Sequence, residues 1–407
     1  MPRVVFVAPF AADTTMRFTR SAAALSGVEL ALVTQEPLER FPEDLRRSLR
    51  AFRRVRDAMD ADELASATSS IGDELGAKPD RLIGVLEQLQ VPLAEVREKL
   101  RIRGMDSNEA QNFRDKSRMK DVLRANGLPC AQHRLCASGA EALEFASRAG
   151  YPLVVKPPAG AGARQTFRVD DQEQLAGYLR SQPPDAGKPV LLEEFITGEE
   201  FSFDTVTLHG RHLFHSINVY APSPLEVLQT PWIQWCVLLP RRIDLPEFAP
   251  IHEAGPRALD ALGIHTGVTH MEWFRRPDGR IAISEVAARP PGAQFTSLIS
   301  YAHDFDLYSA WARLLVFEEF TRPERMFACG AAYLRGQGQG RITGLEGLER
   351  VQRELGDLVI EAKLPQIGQS PTGTYEGEGY VIVRHPETSV VEAALKKLVE
   401  TIRVRLG

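Results

Sequence analysis

Cysteine is scarce, with four residues in 407, at positions 130, 136, 236 and 329. They form no CxxC pair and no Cys/His set with zinc spacing, so neither a structural zinc site nor a disulfide framework is expected. A reducing cytoplasm is the expected location. Long apolar runs are also missing. The run from Val4 to Phe10 is too short for a membrane span, ends soon after at Asp13, and lacks the cleavage region of a signal peptide. Charge of one sign is not in excess: 49 Lys and Arg against 54 Asp and Glu leave −5, which gives no electrostatic footprint for nucleic acid or a membrane surface. The mixed cluster from Arg46 to Arg56 reads as a solvated helix face. No glycine lies between Ala8 and Asp13, so the turn after the first strand is no dinucleotide-binding turn. Repeats and low-complexity tracts are absent.

What is present is ordinary globular composition, 43% hydrophobic and 25% charged, in a length that suits two to three domains of roughly 150 residues. Val4 to Pro9 reads as a buried strand, Thr14 to Leu25 as a helix and Val28 to Val33 as a second strand, a β-α-β opening that predicts a small open parallel sheet. Helical spacing follows over 43–59 and 61–75, then a strand-like stretch over 81–86. Further helices are predicted over 115–125, 139–149, 251–262, 305–318, 346–355 and 387–405. Strands are predicted over 132–136, 151–156 and 190–195, and a hairpin turns at His209-Gly210.

The most informative segment is His270-Met271-Glu272-Trp273-Phe274, the turn Pro277-Asp278-Gly279-Arg280, and Ile281-Ala282-Ile283-Ser284-Glu285. Asp-Gly between two apolar runs predicts a hairpin. A two-residue or a four-residue loop both bring Glu272 opposite Glu285. Like charges directly opposed on one face destabilise a sheet, so something must compensate them. A divalent cation such as Mg²⁺ does so with one or two carboxylates and substrate phosphates; two glutamates splayed into water on a solvent-facing hairpin are the alternative. Phe274, Ile281 and Ile283 are expected on the glutamates' face, and Arg289 lies just beyond. His270 reads either as a packed histidine or as a substrate contact.

Two other segments carry charge in unusual places. Lys156 ends the apolar strand Pro152-Leu153-Val154-Val155 and precedes Pro157-Pro158-Ala159-Gly160-Ala161-Gly162-Ala163-Arg164, small residues whose backbone amides could approach phosphate. No Gly-Lys-Ser/Thr follows, so this is not a Walker A loop; a surface lysine before a flexible loop is the alternative reading. Leu191-Leu192-Glu193-Glu194-Phe195-Ile196-Thr197-Gly198-Glu199-Glu200 runs from a strand into a turn, with acids able to accept from a base's amino group and ribose hydroxyls, or simply to be solvated.

Taken in order, Asp115-Lys116, Met119-Lys120, Gly127-Leu128-Pro129, the strand to Lys156-Pro157 with its glycine loop, Glu193-Glu194-Phe195-Ile196-x-Gly-x-Glu200, Glu272 and Glu285-Val286-Ala287-Ala288-Arg289 resemble the ATP-grasp superfamily over roughly residues 110–320. The resemblance implies an α/β and α+β fold: an N-terminal open parallel sheet domain over 1–109, a small ATP-grasp subdomain with the adenine hinge over 110–198, and a large subdomain with a C-terminal lid segment over 199–407.

It further implies that ATP lies between the two α+β subdomains. Lys116 and Lys156 would contact its phosphates, with Lys156 also near the adenine. Glu193 and the backbone of Glu194 and Ile196, with Phe195 between them, would hold the adenine, and Glu200 the ribose. Glu272 and Glu285 would hold Mg²⁺ or Mn²⁺, and Arg289 would act with Lys156 as a catalytic group by steadying an acyl phosphate. Ala287 departs from the asparagine many members carry there, which removes one metal ligand. The implied reaction is ADP-forming coupling of a small-molecule carboxylate to an amine, with the segment Gly340 to Gly344 through Gly379 to Val383 resembling the lid of amino-acid ligases. A purine-biosynthesis-type or biotin-carboxylase-type enzyme using formate or bicarbonate is the alternative, followed by an ATP-sensing module without turnover. Neither nucleic acid nor membrane is an expected partner; a homodimer is compatible.

Overall fold

The computed structural model describes residues 1–158, 166–230 and 233–407. Near the N-terminus four parallel strands assemble in the order Ala51–Arg54, Glu29–Thr34, Arg3–Val7, Arg81–Ile83. Their apolar runs do not alternate because both faces are covered. Val4, Phe6, Leu30 and Leu32 pack with Phe18 of the helix Asp13–Ala23, while Val5, Val7, Ala31 and Val33 pack with Leu64 and Leu93 on the other side.

A single helix over 43–59 is not formed. The chain makes a short helix, Glu43–Ser48, and then the strand Ala51–Arg54, which pairs along Ala31–Thr34. That ladder outweighs the local helical spacing, since propensity is a weak preference beside tertiary pairing. The helix expected over 305–318 forms as Leu307–Phe317, with Asp306 capping it by accepting from the amides of Tyr308 and Ser309, and a separate helix, Phe295–His303, precedes it. The closing helix stops at Thr401 and gives way to the strand Arg403–Leu406.

A small antiparallel sheet in the order His133–Cys136, Val190–Glu194, Leu153–Lys156, Phe167–Val169 has its own core with the helices Gly139–Ala149 and Gln172–Ser181. The large sheet has eight strands, ordered Ile281–Ala287, Gly267–Arg275, Glu199–Leu208, Arg211–Ala221, Cys236–Leu239, Ala328–Leu334, Gly379–His385, Val359–Lys363. The helices Ser107–Arg114 and Lys116–Ala125, adjacent in sequence to the small sheet, bury Phe113, Met119 and Leu123 in the core of the large one.

Strand alternation then decides where chemistry can sit. Phe201, Phe203, Met271 and Trp273 pack against Ile251, Ala258 and Leu259 of the helix Ala249–Leu262, with Phe201 stacked on Trp273 at 4.5 Å. The intervening residues Glu200, Ser202, Asp204, His270 and Glu272 therefore face the opposite side of the sheet, toward the small sheet and the N-terminal unit.

The two antiparallel sheets are joined by the crossing from Glu194 to Glu199. Gly198 has φ 154°, and a Cβ there would lie 2.1 Å from the carbonyl oxygen of Arg275. Only glycine permits this approach. Gly198→Ala should destabilise the protein by about 1–3 kcal/mol through forced backbone movement, seen as a lower urea midpoint with an unchanged slope; an unchanged midpoint would refute the argument.

Candidate active site

The hairpin brings the two glutamates together by a route the sequence does not reveal. Gly279, at φ 81°, donates its N–H to the Arg276 carbonyl at 2.9 Å, and Arg276 N–H donates to the Arg280 carbonyl at 2.8 Å. The loop is thus Pro277-Asp278-Gly279, three residues long, a turn that ends on a left-handed glycine. Arg275 pairs with Ile281, Phe274 with Ala282 and Trp273 with Ile283. One extra residue, Ser284, then bulges, and the ladder resumes with Glu272 opposite Glu285 and His270 opposite Ala287. The odd loop and the bulge cancel. Phe274 lies on the glutamates' face as expected, but Ile281 and Ile283 do not: short of the bulge the parity is reversed, and both join Trp273 in the core on the other side, leaving Ala282 beside Phe274.

Contacts from outside the hairpin hold the bulge. Ile283 N–H donates to the Pro129 carbonyl at 2.8 Å, and the Ser284 carbonyl accepts from Lys120 Nζ at 2.5 Å. Lys120 and Lys116 are one turn apart on the helix Lys116–Ala125, so both project to the same side. Asp115 caps that helix by accepting from the amides of Ser117 and Arg118. Lys116 Nζ is ion-paired to Glu285 Oε1. Lys120 Nζ lies 3.1 Å from Glu193 Oε1, and Lys156 Nζ lies 2.8 Å from Glu193 Oε2. Both oxygens of Glu193 are therefore occupied by lysines, and the residue is only 4% exposed.

This alternation of acids and lysines sets the ionisation of the group. Burial opposes charge on Glu285, yet Lys116 and Lys156 outweigh it and hold the carboxyl down to about 2. Burial likewise works against Glu193, and Lys120 with Lys156 reverses the balance so that its pKa falls. Lys120, wholly buried, is lowered by desolvation in spite of Glu193, whereas for Lys156 the pull of Glu193 and Glu285 exceeds the burial cost and the pKa rises. Glu200 stands across the ladder from Phe274, and burial, with Glu272 adding repulsion, outweighs the pull of Lys156 and lifts its carboxyl well above the usual range.

Lys116, Lys156, Glu193, Glu194, Phe195, Ile196, Glu200, Glu272, Glu285 and Arg289 all line one cavity of about 1340 Å³. Glu194 turns its side chain to Arg276, 2.9 Å away, while its N–H completes the pairing to Gln132 at 2.9 Å. The glycine loop read after Lys156 falls, beyond Pro158, outside the described residues. Among the described residues no cluster of three or more His, Cys, Asp and Glu is arranged to hold a metal. The hard oxygens of Glu272 and Glu285 still suit Mg²⁺, which binds through one or two carboxylates and takes its other ligands from phosphate and water.

Some lining groups, and the partners that fix Arg289 and His270, escape a reading of the sequence. Arg289 is gripped by Glu87, whose Oε2 accepts from Nη2 at 2.9 Å, and Glu87 Oε1 accepts from Arg114 at 3.2 Å. Glu87 belongs to a short turn of the N-terminal unit, and no local pattern in the chain links it to Arg289. Tyr375 and Glu376 reach the cavity from the C-terminal region, and burial raises the pKa of both. His270 stands on the site face beside Glu272. Desolvation disfavours its charged ring, but Asp204 outweighs it and raises the pKa to about 9.

Known proteins resemble this arrangement. A family model described as the ATP-grasp domain matches residues 121–301. An uncharacterized protein of Sinorhizobium fredii is 25% identical over 78% of this chain and 66% of its own length. An L-arginine-specific L-amino acid ligase of Bacillus subtilis is 27% identical over 59% of this chain and 58% of its own. The matched stretch thus spans less than two thirds of each of these curated relatives. The crystal structure of an L-amino acid ligase from Bacillus licheniformis superposes with a TM-score of 0.80 at 20% identity, covering 100% of this chain and 99% of that one, a likeness of fold. By its likeness to that structure the chain has the ATP-grasp fold, and its residues 121–301 match the ATP-grasp domain model.

Proposed function

We propose that the protein is an ADP-forming carboxylate–amine ligase acting on small amino-acid-like substrates. One observation carries the reading: Glu272 and Glu285 stand side by side on the face of a single cavity that also presents Lys116, Lys156 and Arg289. Paired carboxylates ringed by cations suit a metal-bound polyphosphate better than they suit any nucleophile-based chemistry, because phosphoryl transfer depends mainly on positioning and charge. The named activities of the ligases from Bacillus subtilis and Bacillus licheniformis support the same class.

In this reading the hinge from Glu193 to Ile196 receives the adenine through backbone groups of Glu194 and Ile196, with Phe195 and Val154 beside it. Glu193 itself acts by fixing Lys120 and Lys156. Glu200 hydrogen-bonds the ribose. Glu272 and Glu285 would hold Mg²⁺, which would supply neutralisation of phosphate charge. Lys116 and Lys156 exchange part of their pairing with Glu285 and Glu193 for phosphate oxygens. A substrate carboxylate oxygen bonds to the γ-phosphorus as the bond to the ADP oxygen breaks. The amine nitrogen then bonds to the acyl carbon, phosphate leaves, and the nitrogen gives up a proton. Arg289, held by Glu87, stabilises the charge on the acyl phosphate.

A screen of paired carboxylates and amines, read by ADP release and mass detection of the product, tests the assignment. The expected result is ADP formation that needs both partners; release that depends on bicarbonate alone, or none across a broad panel, would overturn it. Once a substrate pair is known, Glu272→Gln and Glu285→Gln should each lower kcat by about 10²-fold or more. Glu193→Gln should lower stability by about 3–5 kcal/mol, since it leaves Lys120 and Lys156 buried without their counter-charge, and chemical denaturation measures that directly.

A further inference from the structure

Beside the glutamate pair lies a set of buried polar groups that the proposed reaction does not use. Ser202, Asp204, Ser216, Asn218 and His270 occupy three neighbouring strands of the large sheet and share the site face. Each is at most 8% exposed. Polar groups so deep in a sheet are costly unless satisfied, and these satisfy one another. Asp204 accepts from His270 Nδ1 at 2.5 Å, from Ser202 Oγ at 3.2 Å and from Asn218 Nδ2. Asn218 Nδ2 also donates to Ser202 Oγ at 2.6 Å, Ser216 Oγ donates to Asn218 Oδ1 at 3.3 Å, and Arg325 donates to Ser216.

The network has a direction. With Nδ1–H committed to Asp204, the imidazole ring is fixed in plane. Its other nitrogen, Nε2, lies 3.6 Å from Glu272 Oε1 and 3.4 Å from the Tyr220 hydroxyl. Directly across the ladder from His270 stands Ala287, whose methyl group offers no donor or acceptor. On that side of Glu272, His270 is the polar neighbour the ladder supplies. A histidine merely plugging the sheet would not need a buried carboxylate anchored by three donors to aim it.

We infer that Asp204 and His270 form a positioning pair that orients the Glu272 carboxylate for metal–nucleotide binding from the space Ala287 leaves open. The inference rests on the metal–nucleotide reading given above and adds residues to it. Neither member is a metal ligand. Asp204 aims the ring, the ring holds Glu272, and the sheet-wide network from Ser202 to Arg325 holds Asp204.

Mn²⁺ serves as the probe, with binding followed by electron paramagnetic resonance and ADP binding by calorimetry with and without the metal on the full chain. His270→Gln should weaken Mn²⁺ binding in the presence of ADP by about 10- to 100-fold, while metal-free ADP binding changes less than about twofold. Asp204→Asn should show the same metal-selective loss, and serves should the first variant not fold. Adding Ala287→Asn to His270→Gln places an amide across from position 270 and should recover part of the lost affinity. Unchanged Mn²⁺ affinity, or equal loss of metal-free ADP binding with no recovery from Ala287→Asn, would overturn the inference. If the unsubstituted protein binds ADP no better with Mn²⁺ than without, the metal–nucleotide reading itself fails; a strong Mn²⁺ effect that both variants retain removes only the positioning role.

Discussion

Two carboxylates facing each other across an antiparallel ladder are a repulsion that the rest of the molecule is arranged to absorb. Glu272 and Glu285 could relieve it by turning to water, but both lie in a cavity enclosed by other parts of the chain. Lys116 reaches Glu285 from a helix packed on the large sheet, and Lys156 comes from the small sheet to meet Glu193. Lys120 ties the two together, since one ammonium touches Glu193 and the Ser284 carbonyl of the bulge. The charges that make the cavity suited to a polyphosphate are also the contacts that bring the small sheet to the large one. Binding of an anionic ligand would therefore compete with pairs that already hold the cleft together.

Arg289 extends this logic to the N-terminal unit. A half-buried guanidinium is best fixed by an acid, and Glu87 provides one while sharing its second oxygen with Arg114. The parallel sheet thus does more than precede the cavity: a turn after its strand Arg81–Ile83 places the acid that orients Arg289. Arg17, on the first helix, pairs with Glu361 of the last strand in the large sheet, which also accepts from Tyr301 and Tyr380. The C-terminal region is bound to the N-terminal one by the same kind of contact.

Much of the fold could be read from the chain because its signals are local. Alternation around His209-Gly210, the Asp-Gly turn and the helix stop at Gly263 each act within a few residues. The failures also have physical causes. Ala51–Arg54 is a strand because Glu29–Thr34 offers an edge, which helical spacing in 43–59 does not register. Glu272 opposite Glu285 was legible, yet through a loop of the wrong length and without the bulge. Lys116 was marked only by the family resemblance, whereas Lys156 stood out because charge at the end of an apolar strand is unusual. Glu87 did not, since nothing near it in sequence reports a partner two hundred positions away. Ser202 and Asp204 were hidden for another reason: polar residues at every second position suit a wet face, and only tertiary packing buries them; His270 stood out, but not its link to Asp204.

The three-residue turn and the bulge at Ser284 have a joint consequence for how this hairpin can vary. Each alone would shift the pairing by one place and send Glu285 into the apolar layer beside Trp273. Insertions or deletions in the loop are thus tolerated only in step with a compensating change farther along the strand, so related chains should gain or lose the two irregularities as a unit.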